Sequence, residues 1–306
     1  MPQKIVFMGT PNFSVPSLDI LFKSGYEIVS VYTQSAKKSK RGQKYHPSPV
    51  EKFALEKSLN VRSPEILDTR EEFNFLKKSN IDLAIVVAYG KLIPKKFLSL
   101  PKYGFINIHA SLLPKWRGAA PIQRSILNLD KKTGISIMKL EEKLDCGPVL
   151  LQKEIEIKDD VNSKILSERL SFLGAESLIE TIELFKNNKV KFFEQDHLKA
   201  SYAKKITKSE SQINWEDKAK NILAKINALN PNPGAWFKFK NIRYKVWKAK
   251  INSEQGAPGI TINDKLTVGC KDMSLQILEI QREGKNKLST ESFLIGSKFK
   301  KGERLY

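Results

Sequence analysis

The sequence predicts an α/β protein: a doubly wound, mostly parallel sheet followed by a small C-terminal β-barrel. Three observations predict it. Strand-like and helix-like segments alternate through the first 150 residues, the order expected of parallel strands joined by crossover helices. The run 81–90 (IDLAIVVAYG) is apolar almost throughout, as a strand buried on both faces must be. Beyond residue 231 the pattern becomes short strands with turn signals near 241, 252–259, 263, 271 and 284, a spacing that suits a small barrel.

Taken in order, KIVFMG (4–9) is an apolar run that stops at Gly9-Thr10-Pro11, and VPSLDILFKSG (15–25) has helical periodicity and closes on Gly25. EIVSVYTQ (27–34) is the next strand and VEKFALEKSLN (50–60) the next helix; TREEFNFLKKSN (69–80) then leads into the central strand. GFINIHAS (104–111) is another strand, with a helix expected over 118–129. Two further strands, 133–142 and 148–157, flank Asp145-Cys146-Gly147-Pro148, and a long amphipathic helix is expected over 162–189. The stretch 196–211 is polar and aperiodic, which places a linker at 191–207 between a domain of residues 1–190 and one of 208–306. A helix over 216–229 precedes Pro231-Asn232-Pro233-Gly234, where the barrel begins.

Length and composition agree with this division. The 306 residues are 41% hydrophobic and 28% charged, an ordinary globular composition with length enough for two domains. Two cysteines, Cys146 and Cys270, are too few for a disulfide framework or a cysteine-rich zinc site. The N-terminal apolar run breaks at Gly-Thr-Pro without a small-residue cleavage site, and no apolar run is long enough to span a bilayer. A cytoplasmic protein without membrane contact is therefore expected.

The formal charge is +20, from 53 basic and 33 acidic side chains. Lysine outnumbers arginine 44 to 9, so part of this excess is compositional bias and names no ligand. Its placement is more informative. Residues 37–44 (KKSKRGQK) hold Lys37, Lys38, Lys40, Arg41 and Lys44 with no acid, and 234–251 hold Lys238, Lys240, Arg243, Lys245, Lys248 and Lys250, again with none. Residues 208–306 carry 19 basic and 10 acidic side chains. A polyanion such as RNA is the natural partner, because phosphate contacts supply affinity independent of sequence.

The chemistry is sought beyond the carboxyl ends of the strands, where doubly wound sheets bind ligands. The loop after the first strand reads MGTPNF and not G-x-G-x-x-G, and no P-loop is present, which argues against nicotinamide, flavin and nucleoside triphosphate cofactors. Asn107 and His109 stand two apart near the end of the 104–111 strand, so they share a face while Ile106 and Ile108 point the other way. A lone histidine is more often a satisfied structural group. Here the chain has three histidines in all, and His109 has a polar neighbour on its own face at a strand end. Asp145, in LDCGP, is either a turn aspartate bonding its own backbone or a carboxylate of the same site. Together the three groups suit acyl transfer. Asn107 and a protonated His109 can donate to a developing oxyanion, and Asp145 can hold the imidazolium or take the proton of an attacking amine. No serine or cysteine nucleophile is then needed, and no second motif supports Cys146 as one.

FINIHASLLPKWRGAAPIQRSI (105–126) and LDCGPVL (144–150) resemble the folate-dependent formyltransferases. IVFMGTPNFSVPSL (5–18), HPSPV (46–50), VVAYGKLIP (86–94), TGISIMKLEEKLDCGP (133–148), KITKSESQINW (205–215) and NALNPNPGAWF (227–237) extend the resemblance over nearly the whole chain. It implies a Rossmann-like catalytic domain, an OB-type C-terminal barrel, and transfer of a formyl group from 10-formyltetrahydrofolate, with no metal, to the α-amino group of methionyl-tRNA. It implies that Asn107, His109 and Asp145 are catalytic and that Ser111, Leu112, Leu113 and Pro114 line the folate site. It also implies that a monomer meets the initiator tRNA through residues 35–45, with Lys37, Lys38, Lys40, Arg41 and Lys44, and through the basic C-terminal domain. In that domain Trp236, Phe237, Phe239, Tyr244 and Trp247 are interleaved with the basic residues. Alternation predicts Phe237 and Phe239 inward in the barrel core, with Lys238 and Lys240 outward.

Some positions depart from the family pattern. SAKKSKRG replaces the usual Pro, Asp and Ala before Arg41-Gly42, Lys143 and Cys146 replace a glycine and a threonine around Asp145, and Asn232 stands where tryptophan is common. Two rival readings explain less. A formyltransferase for a small amine, such as glycinamide ribonucleotide or an amino sugar, gives no reason for the basic barrel. A plain RNA-binding protein gives none for Asn107, His109 and Asp145 standing together.

Overall fold

The alternation of apolar runs with capped amphipathic segments builds one seven-stranded sheet. Its order is Val149–Glu156, Lys132–Lys139, Phe105–His109, Leu83–Val87, Lys4–Gly9, Glu27–Tyr32 and Val61–Arg62. The computed structural model describes residues 2–35, 37–39, 44–297 and 299–306. Every residue of Leu83–Val87 is buried, and the strand lies in mid-sheet with parallel neighbours on both sides. Lys4–Gly9 and Glu27–Tyr32 are also parallel, as are Glu27–Tyr32 and Val61–Arg62, while Lys132–Lys139 joins Phe105–His109 antiparallel. The sheet is doubly wound and mostly parallel. Strand order reverses between Lys4–Gly9 and Leu83–Val87, so the crevice of such a fold opens beside the carboxyl ends of these strands and their neighbours.

Local chemistry sets the helix ends. Ser48 caps the Pro49–Glu56 helix, its hydroxyl accepting from Glu51 N–H while the Glu51 carboxylate accepts from Ser48 N–H. Thr69 caps Arg70–Lys78, which has Glu71 and Glu72 in its first turn and Lys77 and Lys78 in its last, the arrangement the helix dipole favours. The helix expected over 118–129 is shorter, Pro121–Leu127. Gly118 has φ +116° and pairs with Ala203 in a two-stranded ladder, Arg117–Gly118 beside Tyr202–Ala203, so the helix starts only at Pro121, whose fixed φ suits a first turn.

Two compact units emerge. One contains Met1–Gly118, Thr133–Ile155 and Ser167–Ala203; the other contains Ala119–Lys132, Glu156–Leu166 and Lys204–Tyr306. In the second, Ala235–Phe239, Ile242–Asn252, Ser274–Arg282 and Thr267–Gly269 form a curled antiparallel sheet, with Leu288–Ser289 added to Ser274–Arg282. Single bridges close it. Val268 pairs with Thr261 and Ile260 with Arg304, and Lys238 exchanges both main-chain hydrogen bonds with Tyr306. This is the small barrel expected.

Phe237 and Phe239 are buried and Lys238 and Lys240 exposed, as alternation predicts. Phe237 stacks on Tyr244 at 5.6 Å between centroids and meets Trp215 at 5.8 Å. Trp236 and Trp247 are only half-buried, with the Arg243 guanidinium 4.2 Å above one ring and Lys245 Nζ 5.4 Å from the other.

In the basic loop, the backbone of Lys37–Ser39 pairs antiparallel with Lys44–His46. Lys40 and Arg41, with the side chains of Lys37, Lys38 and Lys44, lie outside the described residues.

Candidate active site

The Phe105–His109 strand presents two polar side chains because its odd positions share a face. Asn107 lies between Val86 and Met138, and His109 opposite Ser136. On the other face, helix Ser163–Lys186 approaches so closely that a Cβ at Gly174 would stand 2.9 Å from Ile108 Cγ2. The strand is therefore clamped from behind. Asn107, His109 and Asp145 are 8, 6 and 7% exposed. Such groups are costly to bury unless they have partners or a use.

The structure brings His109 and Asp145 together, with Nδ1 3.6 Å from Oδ2. On the other side of the ring, His109 Nε2 lies 2.8 Å from the carbonyl oxygen of Trp116. A carbonyl only accepts, so Nε2 carries hydrogen in both charge states, and ionisation adds the proton at Nδ1, facing Asp145. Asp145 is not bonding its own turn. Its Oδ2 accepts from Gly118 N–H at 2.8 Å, while its backbone sits at φ +49°. The Asn107 side chain makes no hydrogen bond among the described residues. Its amide is the donor left over in this buried group.

The segment after His109 is a fastened turn. Ser111 Oγ donates to Lys115 O at 2.6 Å, Ser136 Oγ donates to Ser111 O at 2.7 Å, and Leu113 N–H donates to Ser136 Oγ at 3.0 Å. Gln152 Nε2 donates to Leu113 O at 2.8 Å. Leu113 packs with Met138 and Val149, whereas Leu112 and Pro114 are half-buried. Ser111 Oγ thus spends its hydrogen on the turn, while Leu112 and Pro114 keep part of their apolar surface exposed.

Four neighbours of the site carry no role in the sequence reading: Trp116, Arg117, Gln195 and His197. Trp116 and Arg117 lie within the 105–126 motif, where a motif match alone does not separate contact from scaffold. Gln195 and His197 fall in the expected linker, 191–207, and nothing local marks them. Gln195 Nε2 donates to the carbonyls of Asp145 and Gly147, at 3.0 and 2.7 Å. Ser201 holds the other side, its Oγ accepting from Trp116 N–H and its carbonyl from Arg117 N–H.

Among the described residues no group of His, Cys, Asp and Glu could hold a metal ion, and no helix is long and apolar enough to cross a membrane.

The formyl transferase family profile matches residues 3–182, and the formyl transferase C-terminal domain profile matches 205–298. The chain belongs to the formyl transferase family. Methionyl-tRNA formyltransferase of Pelagibacter ubique (strain HTCC1062) is 51% identical over 307 residues, covering 100% of this chain and 99% of that protein. The methionyl-tRNA formyltransferase of Caldanaerobacter subterraneus subsp. tengcongensis is 42% identical over 98% of both chains. HypX from Aquifex aeolicus in complex with tetrahydrofolic acid superposes with TM-score 0.67 at 18% identity, over 96% of this chain and 47% of its own. The N-formyltransferase of Helicobacter canadensis, in complex with folinic acid and dTDP-3-aminofucose, gives 0.66 at 18%, over 92% and 100%. At these identities the solved structures speak for the fold. A formyltransferase must stabilise negative charge on the formyl oxygen as an amine attacks the carbon, and buried donors beside an acid–imidazole pair are groups of the kind that step requires.

Proposed function

We propose that this formyltransferase moves the formyl group of 10-formyltetrahydrofolate to the α-amino group of methionyl-tRNA, with Asn107, His109 and Asp145 as its catalytic residues. The observation that carries the reading is the buried Asn107 amide, unpartnered among the described residues, on the strand that also presents the His109–Asp145 pair. The folate supplies the formyl carbon. The methionyl amine bonds to that carbon, the bond from carbon to the folate nitrogen breaks, and tetrahydrofolate leaves. Asn107 donates to the formyl oxygen as charge builds there. His109, charged at Nδ1 and held by Asp145, adds positive charge beside it. Asp145 takes the proton the amine loses, directly or through water, and the folate nitrogen regains one as it departs.

Leu112 and Pro114, half-buried just after His109, with Ser111 and Leu113 fixing the turn beneath them, supply apolar surface of the kind a pterin ring needs. The tRNA role falls to Lys37, Lys38, Lys40, Arg41 and Lys44 and to the C-terminal region, 208–306, joined through 191–207 to the catalytic region of 1–190. The enzyme acts as a cytoplasmic monomer. What supports the tRNA acceptor over a small amine is the curled barrel whose 234–251 stretch has six basic side chains and no acid.

The test is single-turnover transfer from 10-formyltetrahydrofolate to methionyl-tRNA with free methionine as competitor. Transfer to the charged tRNA alone is expected. Equal transfer to both would move the chain to the small-amine group, and transfer to neither would leave an RNA-binding protein with a silent site. Asn107→Ala should lower kcat about a hundredfold, the usual loss for an oxyanion donor; a fully active variant would remove Asn107 from the mechanism.

A further inference from the structure

We propose that Gln195, backed by Arg117, is the positioning residue that sets Asp145 against His109. The proposal rests on Asp145 acting in catalysis as described above. Gln195 is 6% exposed and uses its whole hydrogen-bonding capacity in one place. Its Nε2 donates to Asp145 O at 3.0 Å and Gly147 O at 2.7 Å, and its Oε1 accepts from Arg117 Nε at 3.0 Å and Nη2 at 2.7 Å. Arg117 is 2% exposed, and its Nη2 also lies 3.0 Å from His197 Nδ1. Arginine only donates, so that imidazole nitrogen accepts. The residue after Arg117, Gly118, donates its N–H to Asp145 Oδ2 at 2.8 Å. Asp145 is thus held at its carbonyl by Gln195 and at its carboxylate by the residue beside Gln195's own partner.

The restraint has a purpose in the backbone. Asp145 sits at φ +49°, a conformation that a residue with a side chain keeps only where its surroundings over-determine it. Main-chain pairings register both halves of the device. Phe193 and Val149 exchange main-chain hydrogen bonds at 2.8 Å each, placing Gln195 beside the 145–147 turn. Tyr202 and Ala203 pair with Arg117 and Gly118. A catalytic group displaced by a fraction of an ångström loses much of its rate, so the grip on Asp145 belongs to the reaction as well as to the fold.

Gln195→Glu isolates the grip, because a carboxylate still accepts the Arg117 fork but can no longer donate to the two carbonyls. Arg117→Lys weakens it from behind while keeping the charge. Each variant should melt near the wild type, lose about tenfold in single-turnover rate, and show KM values for folate and tRNA within about twofold of the wild type, where binding is untouched. The kcat pH profile of Arg117→Lys, which keeps the charge, should also be displaced as Asp145 moves relative to His109, which a loosened scaffold elsewhere would not produce. In an Asp145→Asn background the same substitutions should have little further effect, because the positioned group is gone. Equal losses in both backgrounds, no loss in the wild type, or failure of both variants to fold would each overturn the proposal. An Asp145→Asn enzyme at full rate would instead overturn the role of Asp145 itself, and that result is read without either substitution.

Discussion

His109 is engaged at both ring nitrogens, by the Trp116 carbonyl and by Asp145, so Asn107 is the group in this cluster that can donate without breaking an existing contact. The two cysteines differ in their surroundings. Cys270 is buried, and burial with the nearby Asp272 carboxylate pushes its thiol up to about 12. Cys146 is partly exposed, with Sγ 3.1 Å from the Leu144 carbonyl oxygen. A thiol reagent such as DTNB should titrate Cys146 alone in the native protein and both cysteines after denaturation, since reactivity follows thiolate and access. Alkylation of Cys146 should slow formyl transfer, because it loads the turn that carries Asp145; folate present during labelling should slow the modification. Gly147 adds a second check at this scale. A Cβ there would stand 2.1 Å from the Lys139 carbonyl oxygen, so Gly147→Ala must shift the turn, and single-turnover rate should fall more than tRNA affinity does.

Elements carry their own electrostatics. The Pro121–Leu127 helix is tied to the segment before Ala219–Ala228 by Arg124, whose Nη1 lies 2.6 Å from Glu210 Oε2. The Arg124 hydrogen bond lowers the Glu210 carboxyl to about 2 from an ordinary 4.5. The carboxylate form is the one the fold favours, so its stabilisation is fully present above about pH 4.5 and disappears as pH falls toward 2. Glu210 is 37% exposed in its side chain, and solvent screening holds the contribution to about 0.5–1 kcal/mol. Glu210→Gln should therefore melt below the wild type at pH 7 and together with it near pH 2; a gap unchanged across that range would show that Arg124 does not act through charge. Most elements at this scale were legible in the sequence, because strands and helices leave periods of two and 3.6. Asn107 and His109 shared a face for that reason, and the Phe237–Lys240 alternation followed the same rule. The bridges closing the barrel, such as Ile260 with Arg304, were not legible, since single pairs have no period. Gln195 was missed on similar grounds: its partners at Asp145 and Arg117 are distant in sequence, and only tertiary folding makes them neighbours.

Over the whole molecule the charge of +20 is shared between regions, and residues 208–306 contribute 19 basic against 10 acidic side chains. Charge of this size on a folded protein acts through long-range attraction and counterion release, and salt weakens both. The two substrates differ sharply in that respect, because a tRNA carries a phosphate at every nucleotide and a folate bears only a few carboxylates. If the basic surface serves the tRNA, the KM for methionyl-tRNA should rise about tenfold or more between roughly 50 and 200 mM salt, and log KM should climb in proportion to log salt. The KM for 10-formyltetrahydrofolate should move much less, and single-turnover rate at saturation should hardly move, because the Asn107, His109 and Asp145 side chains are buried and poorly screened. Parallel salt dependence of the two KM values would mean that the excess lysine is compositional and selects no partner. A steep slope for the tRNA alone would assign the charge to acceptor recognition and leave the chemistry to the sheet.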